Sequence, residues 1–330
     1  METTDHMAQP SAQSAPWQAG AAQPGVVILM AVYNGGPYLA EQLASFVRQH
    51  HRNWRLVSAD DGSQDDSRRV LAEFARAGHS VAILDGPKAG PAQNFLRLIR
   101  AAPQFLAATD WLAFSDQDDV WTPERLSAGL AALADVPADR PAMAFGRTFV
   151  TDAELGNPRL SAPRPRPPGF RNALVQNIAA GNTILLNPAA TRLICAAAME
   201  IDDLVIHDWW IYQIVTGVGG VCCHIEQPLL YYRQHGANSI GANDSLRASL
   251  YRLWRMLRGD FRQWNSTNIA ALGQSLHRLT PENQSVLRRF AIAREQSALR
   301  RMLCIKHLGL YRQSRSGQIS LWLAALINRL

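Results

Sequence analysis

The stretch VVILMAVYN (Val26–Asn34) is a continuous apolar run that ends in a polar turn. An apolar run of this length without alternation is typical of a strand that is buried on both faces of a parallel sheet. Shortly after the turn, Pro37 can occupy the first turn of a helix, and Tyr38–Gln49 has apolar residues at helical spacing. The segment therefore predicts a buried strand that leads directly into a helix.

The alternation of strand and helix continues along the first half of the chain. Further strands are predicted at Arg55–Gly62, Val81–Asp85 and Trp111–Asp119. Helices are predicted from Ser63 or Asp65 to about Ala77, at Asn94–Ala102, and after Thr122, which is expected to cap a helix that has Pro123 at its first position. This alternation predicts an α/β fold whose mostly parallel sheet carries helices on both faces. Ligands of such sheets bind at the carboxyl ends of the strands, where this chain has its polar clusters.

The second half of the chain is less regular. Strands are predicted at Met143–Asp152, Gly181–Asn187 and in the two stretches GVCCHIE and PLLYYRQH, with a helix at Asp208–Gly217. From about Ser245 onward the sequence changes to basic helices with few glycines. We therefore expect a disordered leader at 1–24, an α/β region at 25–244 with two halves that meet near residue 120, and a helical C-terminal appendage at 245–330.

Composition narrows the class of protein. The 330 residues are 47% hydrophobic and 18% charged, which suits a folded protein with a full core. The net charge of +6 is compatible with nucleic acid, a nucleotide sugar or an acidic membrane surface as partner. Four cysteines without CxxC spacing favour reduced, buried thiols in a cytosolic protein. No apolar run reaches about 18 residues, so no spanning helix is expected.

Two acidic clusters follow predicted strands. Asp60 and Asp61 can accept hydrogen bonds from a base edge or a ribose, although an acidic turn that caps the next helix has the same sequence. In the second cluster, Asp116 and Asp118 would face one side of an extended segment and could hold a divalent cation. Asp119 is either a further ligand or a cap. The three neighbouring carboxylates repel each other unless a cation lies among them, which favours a Mg²⁺ or Mn²⁺ site over a solvated loop.

Two further motifs lie in the second half. In HDWW (His207–Trp210), Asp208 is a candidate general base. The same sequence is also compatible with Asp208 as a helix N-cap that is followed by tryptophans of the core. In YYRQHGANS (Tyr231–Ser239), Arg233 could bind a phosphate and His235 could ligate a metal or a phosphate.

Taken in order, AVYNGGPYLAEQLASFVRQ, ADDGSQDDS, SDQDD, HDWW and YYRQHGANS resemble the motifs of the family 2 glycosyltransferases. The resemblance covers Val26 to about Gly241 and implies a GT-A fold, in which a nucleotide-sugar-binding half (25–120) joins an acceptor-binding half (121–244). The implied donor nucleotide site consists of Val32, Tyr33, Asn34, Asp60, Asp61, Asn94 and Asp116. The implied metal ligands are Asp118 and His235, the implied diphosphate ligand is Arg233, and the implied catalytic base is Asp208. The implied acceptor site consists of Trp209, Trp210, Gly181 and Asn182.

Within that family the motifs look most like the rhamnosyltransferase branch. This resemblance implies dTDP-L-rhamnose as the donor, a glycan, lipid-linked glycan or glycolipid as the acceptor, a divalent metal, and inversion in a single displacement. The processive-synthase motif QxxRW is missing from the sequence. The expected location is the cytoplasm, with peripheral association with anionic membrane through Ser245–Trp264 or Ile319–Leu330. Packing of these helices on the protein fits their sequence equally well.

Other functions fit the sequence less well. A nucleotide-sugar pyrophosphorylase would need a basic, Gly-rich loop after the first strand, and the loop here is YNGGPYL. A non-catalytic nucleotide-sugar-binding scaffold would not need Asp116, Asp118 and Asp208 together. No GxGxxG follows a predicted strand, which argues against a dinucleotide oxidoreductase, and no nucleic-acid-binding module is recognisable. The oligomeric state stays open.

Overall fold

The computed structural model describes residues 23–235 and 258–330. In these residues the strands are β1 (Val26–Val32), β2 (Trp54–Asp60), β3 (Val81–Asp85), β4 (Trp111–Ser115), β5 (Val120–Trp121), β6 (Ala142–Thr151), β7 (Arg159–Leu160), β8 (Leu185–Leu186) and β9 (Val221–Arg233). The helices are α1 (Gly36–Val47), α2 (Ser67–Arg76), α3 (Pro91–Ala101), α4 (Arg125–Ala132), α5 (Phe170–Ala173), α6 (Pro188–Ala198), α7 (His207–Gly217), α8 (Asp260–Gln274), α9 (Pro281–Arg294), α10 (Ala298–Leu308) and α11 (Arg315–Leu326).

All of these strands belong to one sheet with the order β3-β2-β1-β4-β8-β6-β9-β5, and β7 pairs with β6 at the side. The strands β3, β2, β1 and β4 run parallel, which confirms the predicted parallel half. Beyond β4 the sheet is mixed, because β8 runs antiparallel to both of its neighbours while β6 and β9 are parallel. Strand β1 therefore lies inside the sheet, where its run of apolar residues is covered on both faces.

Alternate residues of β1 enter two different cores. Val26, Ile28 and Met30 pack with Leu39 and Phe46 of α1 on one face. Val27 and Leu29 pack on the other face in a larger core that includes α3, α6 and α7. The helices on both faces confirm the predicted α/β architecture, and they follow from the two-sided burial of the strands.

Strand β9 corrects one prediction. The sequence predicted two short strands, and the structure has one strand of 13 residues that is continuous through Pro228. The pairing partner of Ile225 is Gly146, whereas the partner of the next β6 residue, Arg147, is Pro228. The bulge at this register shift accommodates the extra residues, so the strand continues to Arg233.

The helix after the second acidic cluster begins later than predicted. Helix α4 starts at Arg125, with Glu124 as its N-cap. The hydroxyl of Thr122 donates to the carbonyl oxygen of Leu229, 3.0 Å away, and therefore joins β9 instead of capping the helix.

The predicted basic C-terminal helices are present as α8–α11, and their apolar residues share one core with α7. The predicted start of this region at Ser245, most of the predicted leader and the first part of the predicted membrane helix Ser245–Trp264 lie outside the described residues, so the domain limits stay predictions. In the described part of the chain no helix is both long and apolar enough to cross a membrane.

Candidate active site

The carboxyl ends of β1, β2 and β4 are tied together by polar side chains. Asn34, in the left-handed region at φ 50°, receives a hydrogen bond at its Oδ1 from Gln64 N (2.8 Å), and its own N–H donates to Ser63 Oγ (2.9 Å). Gln117 exchanges two hydrogen bonds with the backbone of Tyr33, at 2.7 and 2.9 Å. The Tyr33 side chain is exposed next to these hydrogen bonds, while Val32 is buried. A ligand that lies over these strand ends would contact a fixed surface.

The first acidic turn, Asp60–Asp61, is held by donors of the protein. Asp60 accepts from Ser63 and forms an ion pair with Arg68, whose Nε lies 3.0 Å from Oδ2. Asp61 accepts from the backbone N–H groups of Lys88 (2.6 Å) and Gly90 (2.8 Å) in the loop after β3. The structure therefore places both carboxylates at the predicted pocket and gives both of them structural partners.

Asn94 lies under the same loop. Its Nδ2 donates to Ala59 O at 2.8 Å, and its buried Oδ1 has no hydrogen-bond partner among the described residues. A Cβ on Gly86 would lie 2.7 Å from Asp61 Oδ1 and 2.8 Å from Asn94 Oδ1, so this position fits only glycine without rearrangement. Asn94 and Asp61 thus lie against the loop that follows β3 and hold its backbone in place.

The second acidic turn, Asp116–Asp119, is electrostatically different. Burial, the charge of Asp118 and the charge of Asp208 together raise the pKa of Asp116 to about 8. Burial also raises the pKa of Asp119 far above its usual range, although its carboxylate accepts from Asn182 Nδ2 (2.5 Å) and Arg233 N (3.4 Å). Asp119 is therefore a buried structural acceptor and does not cap α4.

Two predicted metal ligands come together across the site. His235 Nε2 lies 2.8 Å from Asp118 Oδ2, and the imidazole packs against the Tyr38 ring with centroids 4.7 Å apart. Among the described residues there is no group of three or more side chains that could hold an ion without other ligands. Mg²⁺ in enzymes is commonly bound by one or two carboxylates, with waters and substrate phosphates as the other ligands. The residues at this site fit that mode of binding.

Arg233 does not agree with its predicted role as a diphosphate ligand. Its side chain is 4% exposed and its guanidinium donates to the carbonyl oxygens of Asp118 (2.9 Å) and Ala153 and to the carboxylate of Glu41 (2.5 Å). Buried charges are paired in proteins because desolvation is costly, and here the pairing links α1 to the second acidic turn. Arg233 is thus a positioning residue for that turn.

Asp208 lies in the first turn of α7 and is 7% exposed. Its Oδ2 accepts from Gly181 N (3.1 Å) and its Oδ1 from Trp209 N (2.6 Å). Burial raises its pKa to about 6, against the opposing effect of hydrogen bonds that include one from Asn177. A carboxylate with this pKa is ionised at neutral pH and basic enough to accept a proton.

The structure corrects the predicted acceptor contacts of the tryptophans. Trp210 is completely buried and Trp209 donates from its indole to Ala173 O at 2.6 Å, so both rings belong to the core between α7 and its neighbours. Gly181 and Asn182 are buried as well, and they hold Asp208 and Asp119 by the hydrogen bonds described above. The helical apolar spacing of HDWWIY explains this arrangement, since α7 is buried on all sides.

Two further residues of the site were not identified from the sequence. Arg125 is fully buried, lies 3.8 Å over the Trp121 ring, and donates to the carbonyl oxygens of Asn182 and Ile184, both at 3.0 Å. Burial lowers its pKa to about 9. Trp121 lies in β5 and Arg125 begins α4, so the sequence carries no helical spacing that would indicate this contact.

The second of these residues, His207, is stacked on Phe95 with ring centroids 3.6 Å apart. Burial lowers its pKa to about 3, so the imidazole is neutral, and neither ring nitrogen has a partner among the described residues. A Cβ on Gly181 would lie 2.6 Å from His207 Nε2. His207 therefore packs closely against the 3₁₀ turn Gly181–Thr183, whose Gly181 N–H donates to Asp208.

The site places a basic carboxylate next to an acidic turn at the strand ends of a GT-A-type sheet, which is the arrangement of a glycosyltransferase. The sequence model of the family described as Glycosyl transferase family 2 matches residues 27–186. Over these residues the chain is similar to the family 2 glycosyltransferases, in agreement with the resemblance of its motifs, and the site and the comparisons together identify it as a glycosyltransferase.

Similar proteins agree with this assignment. A dTDP-rhamnosyl transferase, RfbG of Shigella flexneri, is 26% identical over 231 residues, which are 68% of this chain and 78% of that protein. The UDP-Glc:alpha-D-GlcNAc-diphosphoundecaprenol beta-1,3-glucosyltransferase WfgD of Escherichia coli is 26% identical over 33% of this chain and 40% of its own length. The crystal structure of S. aureus TarS 1–349 in complex with UDP-GlcNAc superposes with a TM-score of 0.50 at 13% identity, over 92% of this chain and 90% of that chain.

Proposed function

We propose that this glycosyltransferase moves L-rhamnose from dTDP-L-rhamnose onto a hydroxyl group of a glycan or lipid-linked acceptor, with inversion of the anomeric centre. One observation carries the mechanism. Gly181 donates to Asp208 and the adjacent Asn182 donates to Asp119, so the candidate base and the second acidic turn lie in one site. A base at one side of the anomeric carbon and a diphosphate-binding turn at the other suit a single displacement.

In this mechanism Asp208 accepts the proton of the acceptor hydroxyl while that oxygen forms a bond to the anomeric carbon. The bond from the same carbon to the diphosphate oxygen breaks in that step, and its electron pair leaves with the nucleoside diphosphate. The hydrogen bonds from Gly181 and Trp209 keep the carboxylate of Asp208 in one orientation. Because the attack and the departure occur on opposite faces, the product has the anomeric configuration opposite to that of the donor.

We propose Asp118 and His235 as the ligands of a Mg²⁺ or Mn²⁺ ion. Their atoms are 2.8 Å apart, and the carboxylates around them carry charge that burial makes unfavourable. A bound divalent ion would stabilise the negative charge that develops on the departing diphosphate. Arg233 and Glu41 hold the backbone of the turn from behind.

The nucleotide is proposed to lie over the ends of β1, β2 and β4. The residues proposed to contact it are Val32, Tyr33, Asn34, Asp60, Asp61, Asn94 and Asp116. The hydrogen bonds of Asn34 and Gln117 support this placement, because they hold the strand ends in position without a bound ligand. The unpartnered Oδ1 of Asn94 supports it as well, since a buried acceptor without a donor is unusual in a folded protein.

The identities of the donor and acceptor rest on the relatives. RfbG is named as a dTDP-rhamnosyl transferase, and WfgD is named for a diphosphoundecaprenol-linked sugar. We therefore propose a cytoplasmic enzyme of cell-surface polysaccharide synthesis that works on a lipid-linked glycan at the inner face of the membrane.

A screen of nucleotide sugars tests this function. The purified protein is incubated with dTDP-L-rhamnose, UDP-glucose, UDP-GlcNAc and GDP-mannose, with Mn²⁺ and a polyprenyl-linked sugar acceptor. We expect dTDP release from dTDP-L-rhamnose and a product whose anomeric configuration, measured by NMR, is inverted. Release of UDP from UDP-glucose would change the donor and keep the class. In a parallel incubation with added pyrophosphate, formation of a nucleoside triphosphate and a sugar 1-phosphate from the nucleotide sugar would instead support a pyrophosphorylase.

A further inference from the structure

The C-terminal helices carry much of the exposed apolar surface of the molecule. Leu299 and Leu303 on α10 are 70% and 47% exposed, and Ile319 and Leu323 on α11 are 61% and 43% exposed. In each pair the two residues are four apart, so they form a stripe along one side of the helix. Leu326 and Ile327 extend the stripe on α11.

Each stripe also contains exposed cations. Lys306 follows Leu303 by three residues and Arg315 precedes Ile319 by four, so both lie on the same side as the leucines and isoleucine. We call Leu299, Leu303, Lys306, Arg315, Ile319 and Leu323 the basic–apolar face. The two helices pack against each other, with Arg301 of α10 donating to the carbonyl oxygen of Ala325 in α11 (2.5 Å).

The charges of this region are not balanced by the protein. Residues 258–330 contain twelve Lys and Arg and three Asp and Glu. All three acids already have arginine partners, in the pairs Asp260–Arg258, Glu282–Arg171 and Glu295–Arg262. Within the described ranges, no carboxylate forms an ion pair with Arg300, Lys306 or Arg315. This surface is therefore complementary in charge to an anionic partner.

Helix packing alone does not account for the basic–apolar face. Helix α11 packs on the protein through Leu321, Ala324 and Ala325, which are completely buried, while Ile319 and Leu323 remain outside. A second copy of the chain is also a poor partner, because its equivalent face would bring like charges together. Leucine and isoleucine flanked by lysine and arginine suit the boundary between lipid headgroups and acyl chains.

We infer that the basic–apolar face binds the surface of an anionic lipid bilayer. The apolar side chains enter the acyl boundary and the cations lie at the level of the lipid phosphates. The inference does not depend on the identity of the donor sugar or of the acceptor, and it adds a membrane contact outside the catalytic site.

Vesicle flotation of the full chain tests the inference. The protein is mixed with vesicles of phosphatidylcholine alone or rich in phosphatidylglycerol, and the bound fraction is measured after centrifugation. We expect binding to the anionic vesicles only, and weaker binding as salt is added, because the Debye length shortens. Lack of binding to anionic vesicles at low salt would overturn the inference.

Matched variants locate the contact. Lys306→Gln with Arg315→Gln, and separately Leu299→Ser with Ile319→Ser, should each reduce partition onto anionic vesicles by at least about tenfold. The controls are Arg48→Gln with Arg76→Gln and Leu160→Ser with Met199→Ser, which make the same changes at exposed positions elsewhere and should change partition by less than about twofold. Circular dichroism and transfer to a short, water-soluble acceptor should stay unchanged in all four variants.

Equal losses in the variants and their controls would show nonspecific binding and would also overturn the inference. Light scattering, which measures the oligomeric state, tests whether the face instead binds a second copy of the chain. If the wild type binds no vesicles but self-associates, and only the variants of the basic–apolar face are monomeric, the face is an interface between copies of the chain.

Discussion

The two acidic turns look alike in the sequence and differ in the structure. ADDGS after β2 and SDQDD after β4 both place adjacent carboxylates at the end of a parallel strand. The first turn receives backbone N–H groups, a serine and an arginine from the protein. In the second turn, three carboxylates lie within four residues, and burial together with the charges of Asp118 and Asp208 raises the pKa of Asp116 to about 8. The carboxylates of the first turn are therefore satisfied by donors of the protein, whereas the second turn has the charge that suits the proposed cation.

The largest expected effect of this difference is on metal dependence. Chelation with EDTA should lower turnover by at least about a thousandfold, and excess Mg²⁺ or Mn²⁺ should restore it, because a Lewis acid contributes several kcal/mol to transition-state stabilisation. Asp118→Ala should not recover at ordinary metal concentrations, whereas Asp61→Asn should keep the same metal response. Full activity in the presence of EDTA would contradict the proposal that the second turn, unlike the first, binds a metal ion.

The next effect concerns Asp208, which faces the second turn. Asp208→Asn preserves the shape of the side chain and removes its basicity, so turnover should fall by roughly a hundredfold or more. Donor affinity measured by calorimetry should hardly change, because Asp208 meets the acceptor hydroxyl. Near-normal turnover in this variant would reduce Asp208 to a structural residue of α7.

The pH profile follows from the same residue. The raised pKa of about 6 means that Asp208 takes up a proton as the pH falls through 6, and a protonated carboxyl cannot act as a base. The value of kcat/KM at saturating metal should therefore fall about tenfold per pH unit below 6 and be level above it. A profile that is flat down to pH 4.5 would contradict this assignment.

The smallest expected effects are on stability, and they have opposite signs in the two turns. Asp61→Asn should lower the free energy of unfolding by about 1–3 kcal/mol, because one of two backbone donors loses its acceptor. Asp116 has a raised pKa in the folded state, so its charge destabilises the fold as the pH rises from about 4 toward 8. In EDTA at pH 8, Asp116→Asn should therefore raise the free energy of unfolding, and at pH 4 it should have little effect.

Urea denaturation of both variants measures these changes. Losses of equal size and sign in the two turns would indicate that both are ordinary hydrogen-bonded turns.

The sequence predicted the parallel half of the fold well. The apolar run at Val26–Asn34 and the three strands after it were identified because burial on both faces leaves an uninterrupted pattern. The sequence predicts two strands in place of β9 because a proline such as Pro228 usually ends a strand. Only the pairing with β6 shows that a bulge allows the strand to continue past Pro228. Long-range pairing of this kind leaves no periodic signal in one chain.

The site was predicted in its residue types and less well in their roles. The structure brings Asp118 close to His235 and Asp116 close to Asp208, although 117 and 92 positions separate them along the chain, and their roles stay predictions. The residue type of Arg233 suits a phosphate ligand, which is why the sequence predicts that role. The buried ion pair with Glu41 involves α1, which is far away in the sequence and leaves no sign near Arg233. Arg125 and His207 were missed because a charged or imidazole side chain in the core is an exception to the usual burial pattern.

Binding of Mn²⁺ tests the central claim most directly. Electron paramagnetic resonance of free Mn²⁺ can be used to titrate the wild type, Asp118→Asn and Asp61→Asn in the presence of dTDP. We predict one bound ion in the wild type and in Asp61→Asn, and affinity at least about tenfold weaker in Asp118→Asn, because only the second turn supplies metal ligands. Equal affinity in Asp118→Asn and the wild type, or loss of the ion in Asp61→Asn alone, would contradict the account.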